Sequence, residues 1–167
     1  MNTLPLQLKG RAWVLGDNID TDLLAPGHAM RKPLPELARH CLEAVVPGFA
    51  TNVRRGDLVV AGEGFGSGSS REQAVEALMH LGISVVLAKS VARIFYRNAL
   101  NLGLPVVRFE DAGLIANHDV LAVNLADGTI ENVTTSQRYR HEPIPAFLLD
   151  LLQDGGLIPH LHKRLHP

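Results

Sequence analysis

Between Gly62 and Gly68 every second residue is glycine, and that alternation limits what the chain can build there. The stretch follows the apolar run Leu58-Val59-Val60-Ala61 and leads through Ser69-Ser70-Arg71-Glu72 into the helix-like segment Gln73–Leu81. A strand, a glycine-rich bend and a helix start together bring backbone N–H groups to an anion. Here the bend also delivers two hydroxyls and a guanidinium to the same helix N-terminus. It is not a nucleotide loop. A Walker-type loop needs Gly-Lys-Ser/Thr at the helix start, where this chain has Gly-Ser-Ser-Arg. The dinucleotide pattern counted from Gly62 needs a third glycine where Ser67 stands. Ser69-x-x-Glu72 and Ser70-x-x-Gln73 both fit a capping box, so pattern alone leaves capping open beside anion binding. Capping needs only one serine, and it gives the glycines and Arg71 no task.

The flanking segments alternate in type. Arg11–Leu15 reads as a strand, Pro35–Val46 as a helix ended by Pro47-Gly48, and Asp57–Ala61 as a strand. Ser70–Leu81 reads as a helix closed by Gly82, and Ile83–Ala88 as a buried strand. Ser90–Leu102 reads as a helix capped by Ser90 and stopped by Gly103, and Leu104–Phe109 as the next strand. This order argues a partly parallel sheet with helices packed on it. Further on, Val120–Leu125 and Thr129–Thr135 form a strand pair around Asp127-Gly128, and Pro145–Leu152 a short amphipathic helix. A chain of 167 residues is enough for one domain with a real core.

Charge and composition exclude several partners. A formal charge of −1 argues against nucleic acid and anionic membrane surfaces, and 5% aromatics against base stacking. No apolar run approaches membrane-spanning length, and the opening MNTLPLQLKG has no signal-like apolar core. The single cysteine, Cys41, rules out an internal disulfide or a cysteine cluster, and its helical setting makes it a small core residue. A cytoplasmic location is expected.

Three further groups carry candidate chemistry. Asp17, Asp20 and Asp22 crowd one loop, but the other ligands of a calcium loop are missing, so a turn of carboxylates on backbone N–H groups is expected. Pro26-Gly27 then opens a loop whose tip presents Arg31, a fork suited to a carboxylate and equally suited to solvent. Arg93 and Arg97 stand outside the apolar face of Ser90–Leu102, as surface charges or as grips for a partner's carboxylates. The tail histidines His160, His162 and His166 have no acid nearby in sequence and belong to an end expected to fray, so no metal site is read here.

Taken together, three segments resemble a known family. GDNIDTDLLAPG (Gly16–Gly27) is similar to its G-D-x-I/V-D-T-D start, and VVAGEGFGSGSSREQA (Val59–Ala74) to its V-A-G-x-x-F-G-x-G-S-S-R-E-x-A core. AKSVARIFYRNALNLGLPVV (Ala88–Val107) is similar to its A-x-S-F-A-R-I-F-Y-R-N-A-x-N-x-G-L-P stretch. The family is the small subunit of the isopropylmalate isomerase and homoaconitase group, equivalent to the fourth domain of aconitase. The agreement covers residues 11–109, with 110–167 completing a single domain.

The resemblance implies an α/β fold, a swivelling β/β/α domain. It implies a heteromeric hydro-lyase acting on a hydroxy di- or tricarboxylate, with 3-isopropylmalate the commonest substrate. A large partner subunit would hold a 4Fe–4S cluster through three cysteines, its iron taking the substrate hydroxyl. The motif serine that serves as base maps to Ser69, Ser70 and Arg71 grip a carboxylate, and Asp22 is the motif acid directed at the site. The substrate loop maps to His28-Ala29-Met30-Arg31, where Ala29 and Met30 replace the usual Tyr-Leu. Arg31 falls where a second, distal carboxylate would be held, which points towards homoaconitate. A dimethylmalate-type dehydratase and a catalytically silent assembly partner are the remaining alternatives. The loop has little of its own to pack against and is expected to be mobile.

Overall fold

The computed structural model describes residues 3–166. Its organising strand is β1 (Gln7–Val14), which changes partner halfway along. Gln7–Arg11 pairs antiparallel with β5 (Val120–Asn124), whereas Ala12–Val14 pairs parallel with β2 (Leu58–Ala61). A Cβ at Gly10, next to the changeover, would collide with the Gly56 carbonyl oxygen, so only glycine lets the two backbones close there.

On one side β2 continues to β3 (Val86–Ala88) and β4 (Val106–Arg108), all parallel. On the other, β5 continues antiparallel to β6 (Thr129–Asn132) and β7 (Gln137–Arg140). The sheet order is β4-β3-β2-β1-β5-β6-β7. All four residues of β2 are buried, which explains its unbroken apolar run: both faces are covered.

Alternation along the strands feeds two cores. Trp13, Val59, Ala61 and Val86 face the helices, chiefly α4 (Glu72–His80) and α5 (Arg93–Leu102), through Leu78 and Phe95. Ala12, Leu58, Val60 and Leu87 face the other way, onto Leu121, Val123 and Ile130 of the antiparallel strands and onto Leu152 of α6 (Ala146–Gln153). Burying a side chain such as Leu78 stabilises the fold by about 1.5–3 kcal/mol. The helix-side core also fixes the loops at the C-terminal ends of β1 and β2, where the candidate site lies.

Several expectations are corrected. The helix read over Pro35–Val46 stops early, as α2 (Leu34–Ala38), and a short α3 (Phe49–Asn52) follows Gly48. Leu42 adopts φ +59°, which breaks the helix, so that its N–H can reach the Leu23 carbonyl at 2.8 Å while its side chain is fully buried. Cys41 is buried in the helix-side core, as read. α4 starts at Glu72 rather than Ser70, and α5 at Arg93 rather than Ser90. Ser90 does not cap α5; its hydroxyl accepts the Gly64 N–H and donates to Glu63. The strand pair expected around Asp127-Gly128 is extended by a third strand, β7, which pairs with β6. The tail expected to fray is α7 (Leu157–Leu165), tied down by Asp154, which takes His160 Nδ1 and Lys163 Nζ at 2.7 Å each. That carboxylate is the nearby acid the sequence reading overlooked.

Candidate active site

Two loops leaving adjacent parallel strands are laced together by their backbones. Asn18 N–H donates to the Glu63 carbonyl (2.7 Å), Gly66 N–H to Ile19 (2.7 Å) and Thr21 N–H to Ser67 (2.8 Å). The glycines make this possible: Gly64, Gly66 and Gly68 all have positive φ, and a Cβ at Gly66 would run into the Phe95 ring. Each loop aspartate has a backbone N–H partner, as the turn reading expected. Asp17 accepts Glu63 N–H (2.8 Å), Asp20 accepts Leu23 N–H (2.9 Å) as N-cap of α1 (Thr21–Leu24), and Asp22 accepts Gly27 N–H (3.1 Å).

The lacing sets Ser69 against Thr21. The Thr21 hydroxyl oxygen accepts the Ser69 N–H at 3.0 Å and lies 3.1 Å from Ser69 Oγ. Either hydroxyl can donate across this contact; were Ser69 Oγ an alkoxide, the Thr21 proton would be the donor. Thr21 is buried, whereas Ser69 is exposed. Ser69 and Ser70 do not cap the following helix, which opens at Arg71 without a side-chain cap. The capping reading is therefore corrected; Ala74 N–H bonds the Arg71 carbonyl, and the Glu72 and Gln73 N–H groups at the start of α4 are left for an anion.

Arg71 is anchored on one side only. Its Nη1 donates to Asp22 Oδ1 (3.0 Å) and to the Ala25 carbonyl (2.9 Å), while Nε and Nη2 make no bond among the described residues. The Arg71 guanidinium, with the Gly27 N–H, holds the Asp22 carboxyl below the usual carboxylate range. Behind Ser70, the buried Asn98 of α5 donates to its carbonyl at 3.1 Å. A depression of about 660 Å³ opens over Ser69, Ser70, Arg71 and the first turn of α4. A larger concavity, about 730 Å³, lies on strands β5–β7 beside Gln7–Lys9, away from these groups.

The structure thus unites Ser69, Ser70, Arg71 and Asp22. It does not bond the substrate-loop residues to them. Gly27–Ala29 forms a single 3-10 turn, Ala29 is completely buried and Met30 packs partly against the helix-side core. The expectation that this loop has little to pack against is corrected by that anchor. His28 pairs with Glu43 at 3.3 Å, and Arg31 is exposed with no bond among the described residues. Thr21 and Asn98 are site residues that the sequence reading missed. Each sits inside a quoted motif, so the available signal was a polar residue with no assigned task.

Comparison with known proteins gives this geometry a lineage. Residues 42–112 match the Aconitase C-terminal domain family. The 3-isopropylmalate dehydratase small subunit 1 of Thermotoga maritima is 47% identical over 158 residues, covering 93% of this chain and 95% of the relative. The chain belongs to the aconitase-related dehydratase small-subunit family. Another member, the methanogen homoaconitase small subunit of Methanothermobacter thermautotrophicus, is also 47% identical, over 160 residues, covering 95% of this chain and 92% of that one. The crystal structure of 3-isopropylmalate dehydratase from Methanocaldococcus jannaschii superimposes with a TM-score of 0.90 at 41% identity, covering 95% of both chains. The family fold, α/β with a curled mixed sheet, is the one described above.

In this family the iron–sulfur cluster is carried by the large subunit. This small subunit does not fit as a cluster holder. Its one cysteine, Cys41, is buried among the apolar side chains of the helix-side core, whereas such a cluster takes several cysteine thiolates. Among the described residues no helix is long and apolar enough to cross a membrane.

Proposed function

We propose that this chain is the small subunit of a 3-isopropylmalate dehydratase, one domain that completes an active site on a large subunit bearing a 4Fe–4S cluster. The observation that carries this reading is the Thr21–Ser69 hydroxyl pair beside the half-free guanidinium of Arg71. A serine hydroxyl is a poor base at neutral pH unless its alkoxide is stabilised. Three groups here do so: the Thr21 hydroxyl, the uncapped N-terminus of α4 and Arg71. Ser69 Oγ takes the proton from the carbon next to the hydroxyl-bearing one. The C–H electrons become the double bond and the C–O bond breaks, the departing hydroxide being what the cluster iron of the large subunit would accept as a Lewis acid. Rehydration puts hydroxide on the carbon that lost its proton and the proton held by Ser69 on the carbon that lost its hydroxyl.

Substrate grip falls to the neighbours. Arg71 Nε and Nη2, the Ser70 hydroxyl and the α4 N–H groups converge on one carboxylate. Asp22 stays ionised and fixes the orientation of Arg71. His28, Met30 and Arg31, on the loop that follows Asp22, are the residues we assign to the rest of the substrate, Met30 as the apolar one and Arg31 as the charged one. A specific observation favours a second reading: Arg31 is an exposed guanidinium with no partner, and one relative at 47% identity is a homoaconitase small subunit. A homoaconitate-type substrate with a distal carboxylate would pair it. A lone buried cysteine suits the reducing cytoplasm, where we assign the complex.

The experiment is reconstitution with the cognate large subunit under anaerobic conditions, following the unsaturated acid formed from 3-isopropylmalate. The chain alone should be colourless and inactive, and the mixture active. Iron–sulfur absorbance in the isolated chain, or an inactive complex with every hydroxy acid offered, would contradict the proposal.

A further inference from the structure

We propose that His28, His40 and Glu43 form a binding site for a zinc-class divalent cation, a site beyond the hydro-lyase reading that shares His28 with the loop assigned to substrate. Glu43 spans two imidazoles with its two oxygens: Oε1 lies 3.3 Å from His28 Nε2, and Oε2 lies 2.8 Å from His40 Nδ1. One donor atom from each residue lies within 4.8 Å of the others. The two rings stand edge-on with centroids 4.9 Å apart. The three residues come from two segments, His40 and Glu43 sharing one turn through the Glu43 N–H bond to the His40 carbonyl. His28 belongs to the 3-10 turn after Pro26, and His40 and Glu43 to the turns after α2, held against α1 by the Leu42 N–H bond to Leu23.

Two imidazoles and a carboxylate make a donor set that zinc favours, with water in the fourth place. Zinc–ligand bonds of about 2.0–2.1 Å put tetrahedral donors about 3.3 Å apart. Each imidazole already stands within 3.3 Å of one Glu43 oxygen, so an ion needs the donor atoms, all within 4.8 Å of one another, to draw in by a short distance. Lys32 Nζ, 3.3 Å from His40 Nε2, is the competing cation. Its contact makes Nε2 an acceptor and leaves the imidazole proton on Nδ1, facing Glu43. Metal binding at Nδ1 moves that proton to Nε2, and the exposed Lys32 side chain swings out to solvent. The ion then replaces the Nδ1 proton between His40 and Glu43, and staples the turn preceding Arg31 to the segment after α2.

The test is titration of Zn²⁺ alone into the chelator-treated chain by calorimetry, with hydrogen exchange across residues 27–32 as a second readout. One equivalent should bind reversibly, slow exchange in that segment and raise the thermal midpoint. His28→Ala and His40→Ala should each weaken binding by about tenfold or more, and the double variant should abolish it, with circular dichroism unchanged. His162→Ala should leave binding intact. Absence of saturable binding would overturn the site and leave a metal-free hydrogen-bonded clamp. Unchanged binding in the double variant would overturn it by assigning the ion elsewhere, such as the histidines of α7.

Discussion

Thr21 Oγ1 accepts the Ser69 N–H at 3.0 Å and lies 3.1 Å from Ser69 Oγ, so one buried hydroxyl positions both the backbone and the side chain of the proposed base. Thr21→Val keeps the shape and removes both bonds. In the reconstituted complex it should lower kcat by about a hundredfold, the scale for losing one donor to a developing oxyanion. Thr21→Ser should restore most of that loss. Equal rates in Thr21→Val and the parent would show that the hydroxyl pair is structural only.

Arg71 offers a second test of the arrangement. Arg71→Lys keeps a charge but cannot bond Asp22 and the Ala25 carbonyl with one nitrogen while presenting a planar fork to substrate. KM for the hydroxy acid should rise and kcat fall together. A change in KM alone would restrict Arg71 to binding.

Arg31 decides between the two substrates. A guanidinium facing an isopropyl group would be desolvated without a partner, whereas a distal carboxylate would take two bonds from it. If Arg31 faces substrate, Arg31→Val should shift the ratio of specificity constants towards 3-isopropylmalate by about a hundredfold, or 2–3 kcal/mol. An unchanged ratio would place the arginine in solvent and leave the isopropylmalate assignment without qualification.

Acid stability should depend on Asp57. Burial pushes this carboxyl up, but bonds from the Trp13 indole, the Arg54 N–H and the Arg11 guanidinium outweigh it and hold the group below its usual range. Its folded pKa lies below the unfolded value near about 4, so its stabilising contribution is present above that pH. That contribution is lost as pH falls through the folded value. Asp57→Asn should lower the thermal midpoint at neutral pH, by the equivalent of about 1–3 kcal/mol, and flatten its fall in acid. An equally steep acid limb in the variant would assign that slope to other groups.

Much of this architecture was legible because local and tertiary demands agree. The parallel strands are covered on both faces, so β2 and β3 appear as plain apolar runs, and the glycine alternation marks the bend that must pass close to Phe95. β7 was missed because Gln-Arg-Tyr-Arg is a polar edge strand with only Tyr139 half-buried, which leaves no alternation to read. No residue of α7 is buried, and its hold on Asp154 is not a periodic signal. The helix that ended at Ala38 failed for a tertiary reason, since the Leu42 bond to Leu23 outweighed a continuing helical pattern. The site divides the same way. Ser69, Ser70, Arg71 and Asp22 lie in readable motifs, but the Thr21–Ser69 contact joins residues 48 apart, and only the fold brings them together.

The most direct test of the central claim is Ser69→Ala in the complex with the large subunit, measuring turnover, subunit affinity and thermal midpoint together. The account predicts that turnover falls by about a thousandfold, within the range for a lost general base, while affinity and midpoint stay near those of the parent. Turnover near the parent's, accompanied by a stability loss of about 1 kcal/mol, is what a purely structural hydrogen bond to Thr21 would give, and it would contradict Ser69 as the base.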